Sequence, residues 1–246
     1  TFSHNNLQKG LIFQIMNNQN FNINEYLKQD LINCFPDYET FIAELNEYIA
    51  MSYIFGSAID ELTTKLNIID RQFKLQHQRN PIYSIRSRIK SPQSIVEKLK
   101  RKNLPISFKT ARENLTDIAG VRVICHYIND IYQLAELLTF HDDIHLIKKS
   151  DYIANPKPNG YRSLHIVINI PIYLPRGKEY VPLEVQIRTL AMDSWASLEH
   201  QMRYKGNEKA KSPEYAEKLK ECAETIHQVN LTMQELYSSL YNQDSN

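Results

Sequence analysis

The 246-residue sequence has no run of about 18 apolar residues, so no membrane-spanning helix is expected. Its N-terminus lacks the basic segment, apolar stretch and small-residue cleavage site of a secretory signal, so the expectation is a cytoplasmic protein. The three cysteines, Cys34, Cys125 and Cys222, are far apart, odd in number and form no C-x-x-C pair. That spacing speaks against a disulfide scaffold and a cysteine zinc site and fits reduced thiols. No internal repeat is evident. Net charge is only +1, and with 42% hydrophobic and 23% charged residues the composition is that of a soluble globular chain able to bury a sizeable core.

The small net charge hides an asymmetry. Between Arg79 and Arg112 ten Lys or Arg (79, 86, 88, 90, 98, 100, 101, 102, 109 and 112) face the single acid Glu97, a net +9, which leaves the rest acidic. So positive a segment calls for a polyanionic partner: nucleotide phosphates, nucleic acid or an acidic membrane.

Residues 1–35, rich in Asn and Gln, read as a weakly structured arm or peripheral helix, and 36–246 as one domain. Helical spacing of Phe41, Leu45, Tyr48 and Ile49, then of Ile59, Leu62, Leu66 and Ile69, predicts two helices to about residue 74, broken near Gly56. Strands are expected over 82–90, 118–127, 144–153, 161–173 and 180–188. Ser91-Pro92 opens a helix to about 102 as N-cap and first residue, and Asn129 caps another ending near 140. Helices over 189–204 and 213–241 close the chain. The fold class is α+β, a mixed five-stranded sheet flanked by helices with a long C-terminal helix. That last helix is simple core packing or an oligomer contact.

Four groups of residues carry candidate chemistry. Arg86, Arg88 and Lys90 share strand parity, and Lys98 and Arg101 lie three apart on a helix, together a cationic wall suited to a triphosphate. Asp117 precedes an apolar strand, where it caps a turn or, with Glu184, holds magnesium. A loop of prolines and Gly160 leads to Tyr161, Ser163 and His165 at one parity, a stacking ring beside polar groups. Finally, Glu184, Gln186 and Arg188 alternate on one strand face with Val185 and Ile187 on the other.

Together, Arg88-x-Lys90, Lys98-x-x-Arg101, Asp117-Ile-Ala-Gly-Val-Arg122, Asp151-Tyr-Ile-Ala-x-Pro-Lys-x-Asn-Gly-Tyr-Arg-Ser-x-His165 and Glu184-Val-Gln-Ile-Arg-Thr resemble the synthetase domain of the RelA/SpoT family. These enzymes make the alarmone (p)ppGpp, and the resemblance covers roughly residues 40–240. Without a hydrolase domain it implies a stand-alone small alarmone synthetase, RelP-like by its N-terminal extension, with a nucleotidyltransferase-like synthetase fold. It further implies that the 3′-hydroxyl of GDP or GTP attacks the β-phosphorus of ATP and AMP leaves. By the motifs, Arg88, Lys90, Lys98 and Arg101 bind ATP, and Asp117 binds Mg2+. Tyr161 stacks on guanine, with Lys157, His165 and Gln186 around the acceptor. Glu184 shares the metal or takes the hydroxyl proton. Asp193, where the family often has Asn, and Lys149, beside Ser150 where many members have a cation, complete the acceptor set. The implied assembly is a homo-oligomer, tetramer favoured, built through the C-terminal helices, with no membrane contact. Two other readings keep the same residues: a toxin-type relative that pyrophosphorylates tRNA or adenine nucleotides, and a non-enzymatic RNA-binding module. The latter leaves Asp117 and Glu184 unexplained, because carboxylates in a phosphate groove repel unless a metal intervenes.

Overall fold

A computed structural model describes residues 29–205 and 212–241. The arm expected over 1–35 lies, up to residue 28, outside the described residues; the first element is the short helix α1 (Gln29–Ile32). Contacts group the chain into two compact units, one of residues up to Met51 with Lys90–Leu115, the other of Ser52–Ile89 with Thr116 onward.

The first unit holds the start of α2 (Tyr38–His77), then α3 (Pro92–Arg101) and α4 (Phe108–Asn114). Each helix begins at a side chain able to accept a backbone N–H, as helix starts require. Asp37 accepts from Thr40 N at 2.7 Å, Ser91 from Ser94 N at 3.4 Å and Ser107 from Thr110 N at 3.0 Å. Phe41, Tyr48, Ile95, Leu99 and Phe108 form its core, with the Tyr48 and Phe108 rings 5.1 Å apart.

The second unit is the sheet and its helices. The five strands are β1 (Ile82–Ile89), β2 (Ala119–Cys125), β3 (His145–Asp151), β4 (Leu164–Leu174) and β5 (Gly177–Thr189), in the order β1-β2-β5-β4-β3. Only β2 and β5 run parallel; the other pairs are antiparallel, so the expected mixed five-stranded sheet is found. Val121, Val123, Leu164, Ile166, Leu183, Val185 and Ile187 are fully buried between sheet and helices. Helix α5 (Ile128–Phe140) packs on β2, β4 and β5, and α6 (Leu190–Lys205) on β2 and β5; α7 (Pro213–Tyr241) lies against α5 and α6. The Trp195 indole N–H donates to Leu219 O at 2.9 Å, tying α6 to α7. None of the three cysteines forms a disulfide, and burial at the end of β2 pushes the Cys125 pKa up.

Two expectations are corrected. Helix α2 does not break at Gly56. A helical glycine costs about 1 kcal/mol, whereas each large apolar side chain such as Phe55, Leu62 or Leu66 returns roughly 1.5–3 kcal/mol on burial. Asn129 is not the cap of α5: the helix starts one residue earlier, where Tyr127 N–H donates to the Asp130 carboxylate at 3.2 Å. The Asn129 N–H instead donates to Gln234 Oε1 of α7 at 3.0 Å.

Asp130 is also the anchor of a buried ion pair. It is fully buried and takes both Arg79 guanidinium arms, at 2.6 and 2.9 Å. Arg79 lies over the Phe73, Tyr127 and Tyr237 rings, 4.7 to 5.3 Å from their centroids, and donates from Nε to Tyr237 Oη at 2.7 Å. One guanidinium therefore links α2, α5 and α7. Arg79→Met leaves the Asp130 carboxylate buried without its cation, and should lower stability by about 3–5 kcal/mol in a urea melt. An unchanged midpoint would contradict this account.

Candidate functional site

The strand register assembles the site. Side chains alternate along a strand, so residues paired across neighbouring strands share a face. One rung reads Arg86, Arg122, Gln186, His165 and Ser150 across β1, β2, β5, β4 and β3; the next reads Arg88, Gly120, Glu184 and Val167. The polar face of β5 is thus continuous with the basic face of β1, across a glycine. Gly120 has no side chain between Arg88 and Glu184, and there a cavity of about 170 Å³ opens, lined by Arg86, Ser87, Arg88, Asp117, Gly120, Arg122, Glu184 and Gln186. Two carboxylates meet three guanidinium groups in that cleft.

Asp117 and Glu184 do converge. Each feels the other's charge, and that repulsion raises the Glu184 pKa. It is outweighed: hydrogen bonding from His165, the largest effect, and from Gln186 holds Glu184 below the usual carboxylate range despite its partial burial. Glu184 is therefore an ionised acceptor at neutral pH. Among the described residues no group of three His, Cys, Asp or Glu could close a metal site. Two carboxylates on an open, phosphate-sized cleft are instead the donor set magnesium uses when substrate oxygens complete its shell.

Beside the cleft lies a closed circuit of polar contacts. Gln186 Nε2 donates to Glu184 Oε2 at 2.9 Å, and His165 Nδ1 sits 3.4 Å from Glu184 Oε1. His165 Nε2 meets Tyr161 Oη at 2.8 Å. Arg188 Nη2 donates to both Tyr161 Oη and Gln186 Oε1, each at 2.8 Å. The Lys157 ammonium lies 4.6 Å from the Tyr152 ring centroid and 4.9 Å from that of Tyr161, a cation–π arrangement. Tyr161, His165, Gln186, Glu184 and Lys157 are thereby brought together as expected. Tyr161 precedes β4 rather than lying in it, and Ser163 is buried, donating to Ile187 O at 3.1 Å.

The loop carrying Lys157 is held by α7. Gly160 adopts φ +88°, and a Cβ there would lie 2.6 Å from Ala223 Cβ and 3.3 Å from Lys220 Cα. Arg162 reinforces the contact, donating to Ile153 O at 2.8 Å and to Glu224 Oε2 at 2.7 Å.

Other expected site residues are placed differently. Lys149 pairs with Ile166, and so points to the face opposite His165; Lys148 and Ser150 share the His165 face. A one-residue step along a strand reverses its facing. Asp193 is buried in the first turn of α6, which Thr189 caps by accepting Met192 N–H at 3.2 Å. Its carboxylate is engaged by Arg122 and Arg188, both at 3.3 Å, with Arg86 at 4.0 Å, so it faces arginines rather than open cleft. Lys90, Lys98 and Arg101 belong to the other compact unit, Lys98 half-buried and Arg101 exposed near the end of α3. Sequence reasoning assigned no role to Arg122, Tyr152 or Arg188. The parity of Arg188 with Glu184 and Gln186 was a usable signal; nothing local marked Tyr152 as a neighbour of Lys157.

A family profile described as a region found in RelA / SpoT proteins matches residues 87–209. The chain is 47% identical over 180 residues to GTP pyrophosphokinase YwaC of Bacillus subtilis, covering 73% of this chain and 85% of that protein. Among solved structures it resembles small alarmone synthetase 2 from Bacillus subtilis, at TM-score 0.68 and 42% identity over 76% of this chain and 97% of that one. It also resembles small alarmone synthetase 1 of that organism bound to its product pppGpp, at TM-score 0.70 and 34% identity over 78% and 97% of the two chains.

Gly160→Ala tests the loop clamp directly. The new methyl group meets Ala223 and sits at positive φ, so the loop must shift, costing about 1–3 kcal/mol. Thermal unfolding should show that loss, and Gly160→Ala combined with Ala223→Gly should recover the steric part of it. No change in the single variant would remove the clamp.

Proposed function

The chain belongs to the RelA/SpoT family, and from that premise we propose that it is a GTP pyrophosphokinase of the small alarmone synthetase type. It transfers pyrophosphate from ATP to the 3′-hydroxyl of GDP or GTP, giving ppGpp or pppGpp and AMP. The observation that carries this reading is the cleft at Gly120, where Asp117 and Glu184 face Arg86, Arg88 and Arg122, next to a cation–aromatic set built on Lys157 and Tyr161.

In this reading the residues divide by chemistry. Arg88 binds ATP phosphate, and the family motifs assign Lys90, Lys98 and Arg101 to the same substrate. Lys157, Tyr161, His165 and Gln186 receive the acceptor nucleotide, the Tyr161 ring stacking on guanine. Glu184 accepts the proton of the 3′-hydroxyl as its oxygen bonds to the β-phosphorus and the bond from that phosphorus to the α-phosphate oxygen breaks. Its two neighbours, His165 and Gln186, orient that carboxylate. Transfer of this kind depends mainly on positioning and charge neutralisation, which these groups supply. Mg2+ held by Asp117 and Glu184 would add positive charge against the phosphates.

The assembly is also proposed. Val229, Met233, Leu236 and Leu240 recur at three- and four-residue spacing on α7 and are more than half exposed. This apolar row supports a homo-oligomer through the C-terminal helices, a tetramer being favoured, and the proposed setting is the cytoplasm. No helix among the described residues is long and apolar enough to cross a membrane.

Incubation with ATP, Mg2+ and either GDP or GTP, with separation of the products, should give AMP and the 3′-pyrophosphorylated nucleotide in equal amounts. No product with GDP or GTP, beside pyrophosphate transfer from ATP when tRNA or an adenine nucleotide replaces them, would overturn the guanine reading. Glu184→Gln should fold normally and lose about 10²–10⁴-fold in turnover; a near-normal rate would return Glu184 to a passive strand face. Gly120→Leu should fill the cleft. A Cβ at 120 finds nothing closer than Glu184 O at 3.9 Å, so the fold should persist while turnover is lost; retained turnover would exclude the cleft as the reaction site.

A further inference from the structure

We infer that Arg188 is a positioning residue for acceptor recognition, holding Gln186 and Tyr161 in the orientations in which they meet the guanine nucleotide. This rests on the reading of the site as an alarmone synthetase site. Arg188 is only 2% exposed, and so lies behind the residues assigned to substrate.

The argument is one of donors and acceptors. A guanidinium has five N–H donors and no acceptor, so every group it touches must accept. Gln186 Oε1 therefore faces Arg188, which turns the Gln186 amide N–H toward Glu184 Oε2. Tyr161 Oη accepts from the same Nη2, which leaves its hydroxyl hydrogen for His165 Nε2. A neutral His165 that accepts at Nε2 carries its hydrogen on Nδ1, the nitrogen facing Glu184 Oε1. One cation thus anchors two branches that meet again on the two oxygens of a single carboxylate, the donor-only end and the acceptor-only end demanding the same polarity. The Arg188 side chain also lies over the Tyr161 ring, its Cζ 5.3 Å from the centroid.

Burying a guanidinium is costly unless it is paired. Asp193 supplies that pairing, its Oδ1 receiving Arg188 Nη1 at 3.3 Å. The expectation that Asp193 touches the acceptor is thereby replaced: it acts on the acceptor set through Arg188. With a neutral apolar side chain at 188, Glu184 still calls for the Gln186 N–H and the His165 Nδ1–H, but Gln186 Oε1 and Tyr161 Oη lose the donor that holds them from the other side.

The test uses the intact protein and measures GDP and a non-hydrolysable ATP analogue separately by calorimetry, with a thermal melt for each variant. Arg188→Met should weaken GDP by about tenfold to a hundredfold, the cost of leaving buried polar groups unsatisfied, and leave the ATP analogue unchanged. Arg188→Lys, with one compact ammonium for two branches, should not restore GDP binding. Tyr161→Phe keeps the ring and should cost GDP several-fold; combined with Arg188→Met it should add nothing, since that branch is already broken. Equal losses for both nucleotides with a lowered melting temperature would make Arg188 plain cement between β5 and α6. Additive losses in the double variant would overturn the branch through Tyr161. If Arg188→Met fails to fold, Tyr161→Phe decides alone, and unchanged GDP affinity there overturns the proposal. A wild-type protein that binds neither nucleotide would instead defeat the reading of the site; a wild-type protein that binds GDP beside an Arg188→Met variant equal to it would defeat this inference only.

Discussion

The register between β1, β2, β5 and β4 is the constraint on which the site depends. Four strands contribute Arg86, Arg122, Gln186 and His165 to one rung, and a glycine in the neighbouring rung leaves space between Arg88 and Glu184. The opposite face is a continuous apolar surface, with Val121, Val123, Val185 and Ile187 fully buried. A slip of one residue in any of these strands would bury the charges and expose the valines, so core packing enforces the polar alignment. The hydrophobic effect thus positions groups that it does not touch.

Charge is managed in two ways in this molecule. In the cleft, cations outnumber carboxylates, which suits a polyphosphate whose own negative charge completes the balance. Elsewhere among the described residues, buried charges come in pairs: Asp193 with Arg122 and Arg188, and Asp130 with Arg79. Such pairs contribute little net stability, since desolvation offsets most of the attraction, but they tolerate few arrangements. The first pairs the guanidinium that donates to Tyr161 and Gln186; the second holds α2, α5 and α7 together beneath three aromatic rings.

Helix α7 serves both packing and site. It carries the Ala223 and Glu224 contacts that hold the Lys157 loop, the Tyr237 ring over Arg79, and an exposed apolar row farther along. A contact made on that exposed row would act on the same rigid element that sets the position of Gly160.

Much of the architecture was legible from the chain alone. Residue patterns of period two and 3.6 gave all five strands and most of the helices, because those periods follow from backbone geometry whatever the partner. Ser91 and Pro92 declared the start of α3 through local chemistry. The pairing of Asp117 with Glu184, 67 positions away, was expected from a family pattern; spacing by itself made a turn cap the default. What the sequence could not decide were features set by long-range partners. The continuity of α2 through Gly56 depends on burial of its flanking residues, and the cap of α5 on which of two adjacent polar residues faces the backbone. The facing of Lys149 depends on its pairing with Ile166, and the role of Asp193 on three arginines drawn from β1, β2 and β5. Sequence determines which groups each strand presents; only the folded register decides which of them meet, because hydrogen bonds and ion pairs act over a few ångströms and distance along the chain does not measure distance in space.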